Sequence, residues 1–251
     1  MSAVRYTLFA FSIILLIQAP AFSKEIDCLG CHDDLAKGKV VHPALQMGCT
    51  TCHEGIDATD VPHKKTNKIT KGLSSEQPEL CYGCHDKTKF TKKTVHAALE
   101  MGCTSCHNPH SSKYKKLLIA EPPALCLNCH DKAEFSRKNV HEPVAEGMCL
   151  SCHSPHSSDN TALLLQRPIR VCLDCHADVR KTPHAITGFE STGHPIGLLR
   201  SGTKEFPDDP ARPGKKFYCG SCHNPHSSDS TKLFRYKGNM ALDICINCHK
   251  K

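Results

Sequence analysis

The chain has few of the residues from which a hydrophobic core is normally built. Among its 251 residues there is no tryptophan, and the aromatic share is only 6%. After residue 17 no long apolar run occurs, and no strand-like alternation of apolar and polar residues persists. These absences exclude further membrane-spanning helices and argue against an extended sheet. Side chains alone therefore cannot fill the interior.

Cysteine, by contrast, is abundant, and all of it lies in one pentapeptide. The 18 cysteines form nine copies of Cys-x-x-Cys-His. They are Cys28, Cys31, Cys49, Cys52, Cys81, Cys84, Cys103, Cys106, Cys126, Cys129, Cys149, Cys152, Cys172, Cys175, Cys219, Cys222, Cys245 and Cys248. This is the attachment signature of c-type haem, in which two thiols bond to the vinyl groups and the histidine ligates the iron. Disulfides and zinc sites are the rival interpretations, but nine such copies favour nine covalently attached haem c groups.

Histidine is present in the number that nine irons would require. Nine of the 18 histidines lie inside the motifs, namely His32, His53, His85, His107, His130, His153, His176, His223 and His249. The other nine are His42, His63, His96, His110, His141, His156, His184, His194 and His226. Each iron has one further axial position, so the count predicts that all 18 imidazoles are iron ligands, two to each haem.

Ligation by two histidines would determine the chemistry of the haems. Methionine ligation raises the reduction potential of a haem, so histidine in its place gives a lower one. Met47, Met101 and Met148 lie just ahead of motif cysteines and are alternative axial ligands. A packing role is favoured for them because the histidines suffice. The sequence thus predicts low-potential irons that offer no open site to a substrate.

The N-terminus has the features of a secretory signal peptide. Arg5 precedes a short apolar segment at residues 8–17, and Ala21-Phe22-Ser23 has the form of a cleavage site. We expect residues 1–23 to be removed, leaving residues 24–251 as one cytochrome domain; an uncleaved anchor is the alternative. The residues before Cys28 do not resemble a lipoprotein box, so we expect no lipid anchor. Export fits the motifs, because haem is attached to CxxCH thiols outside the bacterial cytoplasm.

Composition also predicts the fold class. With so few residues for each haem, the cofactors must form much of the core, and without them we expect little stable structure. We therefore predict a mostly irregular, elongated repeat array with short α-helices, a haem-packed core and little or no β-sheet. Short helices are expected at the first motif of each unit, after Pro78, Pro122, Pro123 and Pro168.

The positive charge of the chain does not indicate nucleic-acid binding. The precursor carries a formal charge of +7. Nine oxidised haems with ionised propionates would add about nine negative charges. The lysines and arginines are therefore interpreted as partners of propionates and as docking charges, and no nucleic acid is expected as a partner.

The motifs are arranged as a doubled repeat. Units span about residues 28–70, 81–120, 126–165 and 172–230, each with two motifs, and a lone last motif occupies residues 245–249. In three units the second motif continues as Asn/Ser-Pro-His-Ser-Ser, which contains His110, His156 or His226. The first unit departs from this pattern, with His53-Glu54-Gly55 and a later His63.

These residues resemble the doubled-CXXCH multihaem cytochromes c of metal-reducing and related anaerobic bacteria. The resemblance covers about residues 28–251 and implies electron transfer through closely stacked haems. It implies a location in the periplasm, in an outer-membrane conduit or outside the cell, and does not choose among them. Because of the signal peptide we expect a periplasmic protein, with outer-membrane association or an extracellular position as alternatives. The implied partners are redox proteins, namely inner-membrane quinol-oxidising cytochromes, components of an outer-membrane porin–cytochrome conduit, or extracellular acceptors. The chain is not expected to be an integral membrane protein.

The spacing limits which iron each spare histidine can reach. His110, His156 and His226 follow a motif histidine by three residues, where the backbone is tied to the proximal side of that haem. We therefore expect them to reach a different haem. The fourth unit has an extra histidine among His184, His194 and His226, and we expect it to serve the lone last motif. The individual pairs stay open at this point.

Two segments interrupt the array. Residues 54–80 are polar and lysine-rich and are predicted to be a connecting loop. Residues 186–216 are rich in glycine and proline. They are predicted to be a surface excursion that delivers His194 as a ligand, with a docking surface as the alternative.

Two classes of function are compatible with these observations. An electron carrier is the favoured one, as a periplasmic shuttle, a conduit module or a subunit of an extracellular filament. The alternative is a multihaem reductase or oxidase acting on a small nitrogen or sulfur compound. Such enzymes often have lysine in place of one motif histidine, and no motif here has that replacement. We therefore expect no enzymatic activity and no catalytic residues.

Overall fold

The computed structural model describes residues 27–181, 184, 194–200, 202, 205–237 and 242–249. The predicted signal peptide lies outside the described residues. The described chain is mostly irregular and is built from short helices, tight turns and two-residue strands, which confirms the predicted fold class. Within this part of the chain, no helix is both long enough and apolar enough to cross a membrane.

The α-helices are one or two turns long. They are α1 (Glu79–Tyr82), α2 (Glu142–Ala145), α3 (Pro168–Leu173), α4 (Pro195–Arg200), α5 (Cys219–Cys222) and α6 (Leu242–Cys245). Pro78 caps α1 and Pro168 opens α3, positions that suit proline because no backbone N–H is needed there. The prediction of helices at first motifs thus holds for the second and fourth units.

Tight 3₁₀ turns take the place of helices elsewhere. Four of them contain residues of positive φ and are left-handed there, at Thr70–Gly72, Lys115–Leu117, Thr161–Leu163 and Thr231–Leu233. The others lie at Cys28–Gly30, Asp33–Ala36, Pro43–Met47, Cys49–Thr51, Lys87–Lys89, Ala97–Met101, Cys103–Ser105, Cys126–Asn128, Lys132–Phe135, Cys149–Ser151 and Ala177–Arg180. The first motifs of units one and three adopt such turns rather than the helices predicted for them. Runs this short are typical of the 3₁₀ helix, whose hydrogen-bond geometry is poorer than that of the α-helix.

The strands form four isolated antiparallel pairs. The strands are β1 (Val40–Val41), β2 (Ile56–Asp57), β3 (Lys64–Lys65), β4 (Thr94–Val95), β5 (Ser111–Ser112), β6 (Asn139–Val140), β7 (Ser157–Ser158) and β8 (Ser227–Ser228). β2 pairs with β3 inside the segment that was predicted to be a loop. The other pairs are β1 with β5, β4 with β7 and β6 with β8, and each of these joins one unit to the next.

The strand pairs explain the Ser-Ser at the end of the repeated Asn/Ser-Pro-His-Ser-Ser segment. Ser227 in β8 is fully buried; its hydroxyl donates to the Glu134 carbonyl at 2.9 Å and accepts from Arg137 N at 3.3 Å. Ser157 makes the equivalent bonds to Lys89 O and Lys92 N. A buried hydroxyl that satisfies one donor and one acceptor of the neighbouring unit is costly to remove. The serines therefore fix the register between units.

A packed apolar core exists only in the fourth unit of the described chain. Ile169 and Leu173 of α3 meet Ile196 of α4, with Leu199 and Phe206 around them. In the other units, apolar side chains at equivalent repeat positions stay in solvent. Examples are Val41 and Val95, which are 42% and 50% exposed, and Met47 and Met101, which are 61% and 68% exposed. Regularly placed apolar side chains without protein partners are expected where a cofactor covers them.

Candidate haem-binding sites

All nine motifs close the same local turn. In each one the backbone N–H of the histidine donates to the carbonyl of the first cysteine, at 2.8–3.1 Å. The histidine is thereby held one turn from that cysteine. None of the 18 cysteine residues is fully buried. Each motif thus presents two thiols and one imidazole from a single turn.

Each motif histidine faces one histidine from outside the motifs. The nine pairs are His32–His63, His53–His110, His85–His42, His107–His156, His130–His96, His153–His226, His176–His141, His223–His184 and His249–His194. Their ring centroids are 6.0–6.2 Å apart. Every histidine of the chain is used once.

This spacing fits an iron between two imidazoles. A first-row metal holds an imidazole nitrogen at about 2.0–2.1 Å, and the ring centre lies roughly 1.1 Å further out, so two rings on opposite faces have centroids about 6 Å apart. Rings in van der Waals contact would be closer. The centroid separation of the pairs therefore matches the separation expected of two axial ligands.

The pairs cross the unit boundaries in both directions. His96 of the second unit faces His130 of the third, while His156 of the third unit faces His107 of the second. The same strand pair supports both contacts, because His96 N donates to His156 O at 2.8 Å. Equivalent crossings place His110 opposite His53 and His226 opposite His153 in neighbouring units, rather than opposite the histidine of their own motif.

The histidines that break the repeat lie at the two ends of the array. His63, which follows the β2–β3 turn, folds back on His32 of its own unit. At the other end His184 faces His223, and His194, just ahead of α4, faces His249 of the lone last motif. The long segment before Cys219 thus brings His194 to the C-terminal motif.

The cysteines of successive motifs also lie side by side. Burial and the neighbouring thiol of Cys103 raise the pKa of Cys81 to about 11, and Cys52 of the preceding unit adds to the effect. The hydrogen bond that the Cys219 thiol donates to Cys172, together with burial, raises the pKa of Cys219 as well. Similar couplings join Cys28 to Cys49, Cys126 to Cys149 and to Cys106, Cys152 to Cys172, and Cys222 to Cys245 and Cys248. Together they connect the nine motifs in the order of the sequence.

Carbonyl groups fix the imidazole tautomer in most pairs. His53, His107, His153 and His223 bond through Nδ1 to the carbonyls of Lys71, Lys116, Ala162 and Lys232, at 2.8–3.0 Å. In three further pairs it is the histidine outside the motif whose Nδ1 bonds to a carbonyl. His63 bonds to Asp60 O, His96 to Pro155 O and His141 to Pro225 O. A carbonyl can only accept, so Nδ1 carries the proton and Nε2 keeps its lone pair for a metal.

Burial favours the neutral, ligating form of several histidines. Burial, followed by the nearby charge of His107, lowers the pKa of His156. Burial and then His153 lower the pKa of His226. The few aromatic side chains contribute to this environment, since Phe90 lies 4.7 Å from the ring of His156 and Phe135 lies 4.9 Å from that of His226. A neutral imidazole is the form that binds a metal.

The carbonyls that hold the second-motif histidines belong to left-handed turns, which the sequence analysis did not identify. Lys116 and Leu117 have φ of 58° each, and Ala162 and Leu163 have 53° and 56°. A residue other than glycine costs about 1–2 kcal/mol in this conformation. The available signal was a spacing of nine residues between the histidine and the left-handed residue in three units, as in His107 and Lys116, whereas His53 and Lys71 are 18 residues apart.

The long segment of the fourth unit is anchored by a buried ion pair. Asp209 is 2% exposed, and its carboxylate accepts from Arg212 Nε at 2.7 Å. Arg212 also donates to Ser221 Oγ inside the eighth motif, at 3.2 Å. Burial alone would raise the pKa of Asp209, but hydrogen bonds from Ser221 and Arg212 outweigh it and the net direction is downward. The carboxylate therefore stays ionised and ties the segment to the motif.

Short irregular elements, repeated attachment motifs and paired histidines define a multihaem c-type cytochrome. The chain belongs to the doubled CXXCH motif family, whose model matches residues 42–90, 96–135, 141–181 and 209–251. It is also similar to the multiheme cytochrome MtrA of Shewanella baltica (strain OS185), with 30% identity over 92 residues. That match covers 34% of this chain and 25% of MtrA, so the chain spans about a quarter of the length of this curated relative. Electron transfer through covalently bound haems is the function common to the class.

Proposed function

We propose that the protein carries electrons at low potential along nine haems, each held between two histidines. The observation that carries this proposal is the set of nine histidine pairs with a common ring separation of 6.0–6.2 Å. The cysteines of each motif would hold the porphyrin edge, and the paired histidines would hold the iron. The haem supplies the redox chemistry, and the chain supplies ligands, spacing and a covering of apolar side chains.

The haems are proposed to follow one another in the order of the sequence. The electrostatic influence of Cys52 on Cys81, and of Cys106 on Cys126, supports this order at unit boundaries. Contacts such as that of Cys81 with Cys103 support it within units. Because no motif is skipped, electrons would enter and leave near the first and last haems and hop between neighbours.

We propose that the protein has no enzymatic activity. A haem enzyme needs an iron with an open or weakly held axial position, and each motif histidine here has a facing histidine. The fully supplied ligand set also means that Met47, Met101 and Met148 are not needed at any iron. The reductase or oxidase alternative is therefore the weaker candidate.

The location is proposed to be the periplasm, with redox proteins of the inner and outer membranes as partners. Both ends of the array complete their ligand pairs within one chain, through His63 at the first motif and His194 at the last. A subunit that borrowed ligands from a neighbour would have an unfilled pair at one end. This supports a shuttle or a conduit module over a filament.

The proposal is tested on the matured protein with three measurements. Intact mass should show nine covalent haems, and electron paramagnetic resonance should show low-spin ferric centres only. Carbon monoxide added to the reduced protein should leave the absorption spectrum unchanged. A stoichiometric high-spin haem that binds carbon monoxide would instead support the enzyme, and fewer than nine haems would overturn the count. Cell fractionation, with a test for co-purification with an outer-membrane protein, examines the location.

A further inference from the structure

The second motif of every unit is followed by the same strained turn, in spite of different sequences. The turn spans Thr70–Leu73, Lys115–Leu118, Thr161–Leu164 and Thr231–Phe234, and its two central residues have φ of 53–62°. Two successive left-handed residues define a type I′ turn, which normally contains asparagine, aspartate or glycine. Three of the four turns here have leucine at the second position. Such strain persists only where the surroundings enforce it.

The surroundings enforce the turn with one dedicated side chain in each unit. Ser158 accepts from Asn160 N at 3.0 Å and donates to the Leu164 carbonyl that ends the turn. Ser112 and Ser228 make the same two bonds in their units. Each of these is the second serine of the repeated Pro-His-Ser-Ser. That serine therefore braces a turn six residues further on.

The first unit lacks this serine and yet keeps the turn by other means. Asn67 accepts from Ile69 N at 3.1 Å and donates to the Leu73 carbonyl at 2.8 Å, so an amide makes the two bonds that a hydroxyl makes elsewhere. The Lys71 carbonyl still meets His53 Nδ1, at 3.0 Å. Two different side chains thus maintain one strained geometry, and the carbonyl contact to the motif histidine is its common product.

No equivalent contact holds the first motifs. Among the described residues, no carbonyl accepts from Nδ1 of His32, His85, His130 or His176, and the chain after these motifs forms ordinary right-handed turns. The braced turn is thus specific to the second motif of each unit.

We propose that the left-handed turns at Lys71, Lys116, Ala162 and Lys232 are positioning elements that orient the second-motif histidine and lower the potential of its haem. The inference rests on the proposed haem ligation. A carbonyl that accepts a hydrogen bond from the Nδ1–H group makes the imidazole a stronger electron donor to the metal and fixes the plane of the ring. A more electron-rich iron is harder to reduce. Outer hydrogen bonds of this kind are one of the means by which a protein tunes a haem.

Ala162 offers the cleanest test, because neither the native residue nor its replacements carry charge. In Ala162→Pro the ring fixes φ near −65° and turns the carbonyl away from His153. In Ala162→Gly the left-handed conformation becomes unstrained and the carbonyl stays in place. The two variants alter the same position and differ in whether the turn can form.

Both variants are matured with haem and counted by mass before potentials are measured. With nine haems attached, redox titration followed by visible spectra should show one haem equivalent at higher potential in Ala162→Pro. All nine should be unchanged in Ala162→Gly. The low-spin resonance signal of one haem should also shift, since the orientation of the His153 ring is released.

A second variant covers the case in which Ala162→Pro does not mature. Ser158→Ala removes only the brace, and it should shift the potential of one haem in the same direction by a smaller amount. The inference is overturned if Ala162→Pro has nine attached low-spin haems whose potentials are unchanged. If the proline variant does not mature, the same result in Ser158→Ala overturns it. A wild-type protein without nine bis-histidine haems would instead overturn the proposed function.

Discussion

Removing one crossing histidine should open one iron and leave the rest of the array intact. In His156→Ala the ring that faces His107 at 6.0 Å is lost, so the fourth haem should become five-coordinate. The backbone of residue 156 still accepts from His96 N, and its strand pairing is unaffected. The lost ring contact with Phe90 is worth about 0.5–1.5 kcal/mol. That is too little to unfold the chain, in which eight other histidine pairs remain.

The expected change of spin state is therefore confined to one of the nine proposed haems. Mass should still show nine attached haems, while the resonance spectrum gains one high-spin centre and carbon monoxide binds one equivalent. Phe90→Leu is the matched control, because it removes the aromatic contact but leaves His156, and it should stay fully low-spin. Nine low-spin haems in His156→Ala would refute the assignment, as would a high-spin centre in Phe90→Leu.

Three further predictions address other parts of the molecule. His194→Ala should open the iron of the last motif alone, giving one carbon monoxide equivalent; none would contradict its pairing with His249. Asp209→Asn should destabilise the fourth unit by about 3 kcal/mol in denaturant, because Arg212 loses its partner. In the wild type the pKa of Asp209 is lowered in the folded state, so its stabilisation is present above the usual carboxyl pKa of about 4. It is lost as the pH falls through the lower pKa of the folded protein. The same acid transition in the wild type and in Asp209→Asn would contradict this prediction. Ser227→Ala should cost about 1–3 kcal/mol, since the Glu134 carbonyl and Arg137 N–H lose their buried partner, whereas the exposed Ser136→Ala should cost much less.

Much of the candidate site follows from counting residues. The nine Cys-x-x-Cys-His motifs predict the cofactor class because the reaction of thiols with a porphyrin needs only local spacing. The equality of 18 histidines with 18 axial positions predicts two ligands for each iron. The scarcity of aromatic residues predicts the irregular fold, since a chain without a side-chain core cannot stabilise long helices or sheets.

Local propensity was a weaker guide to individual elements. Proline ahead of a first motif led to a helix at Cys81 and Cys172 but to a 3₁₀ turn at Cys126. Residues 54–80 were predicted to be a loop and contain the β2–β3 pair. Elements of two to six residues are decided by single hydrogen bonds, which sequence patterns do not resolve.

Residue identity and motif spacing were enough to predict the attachment residues, the supply of axial ligands and the doubled repeat, because these can be read along the chain. Which histidine faces which depends instead on contacts between the units. His110 and His156 turn away from their own motifs because β1 and β4 of the preceding units pair with the serines that follow them. The left-handed turns are likewise braced by a serine or by Asn67, each of which lies outside the turn it supports. The strand pairs between units join residues 62 or more positions apart, and no local pattern encodes them.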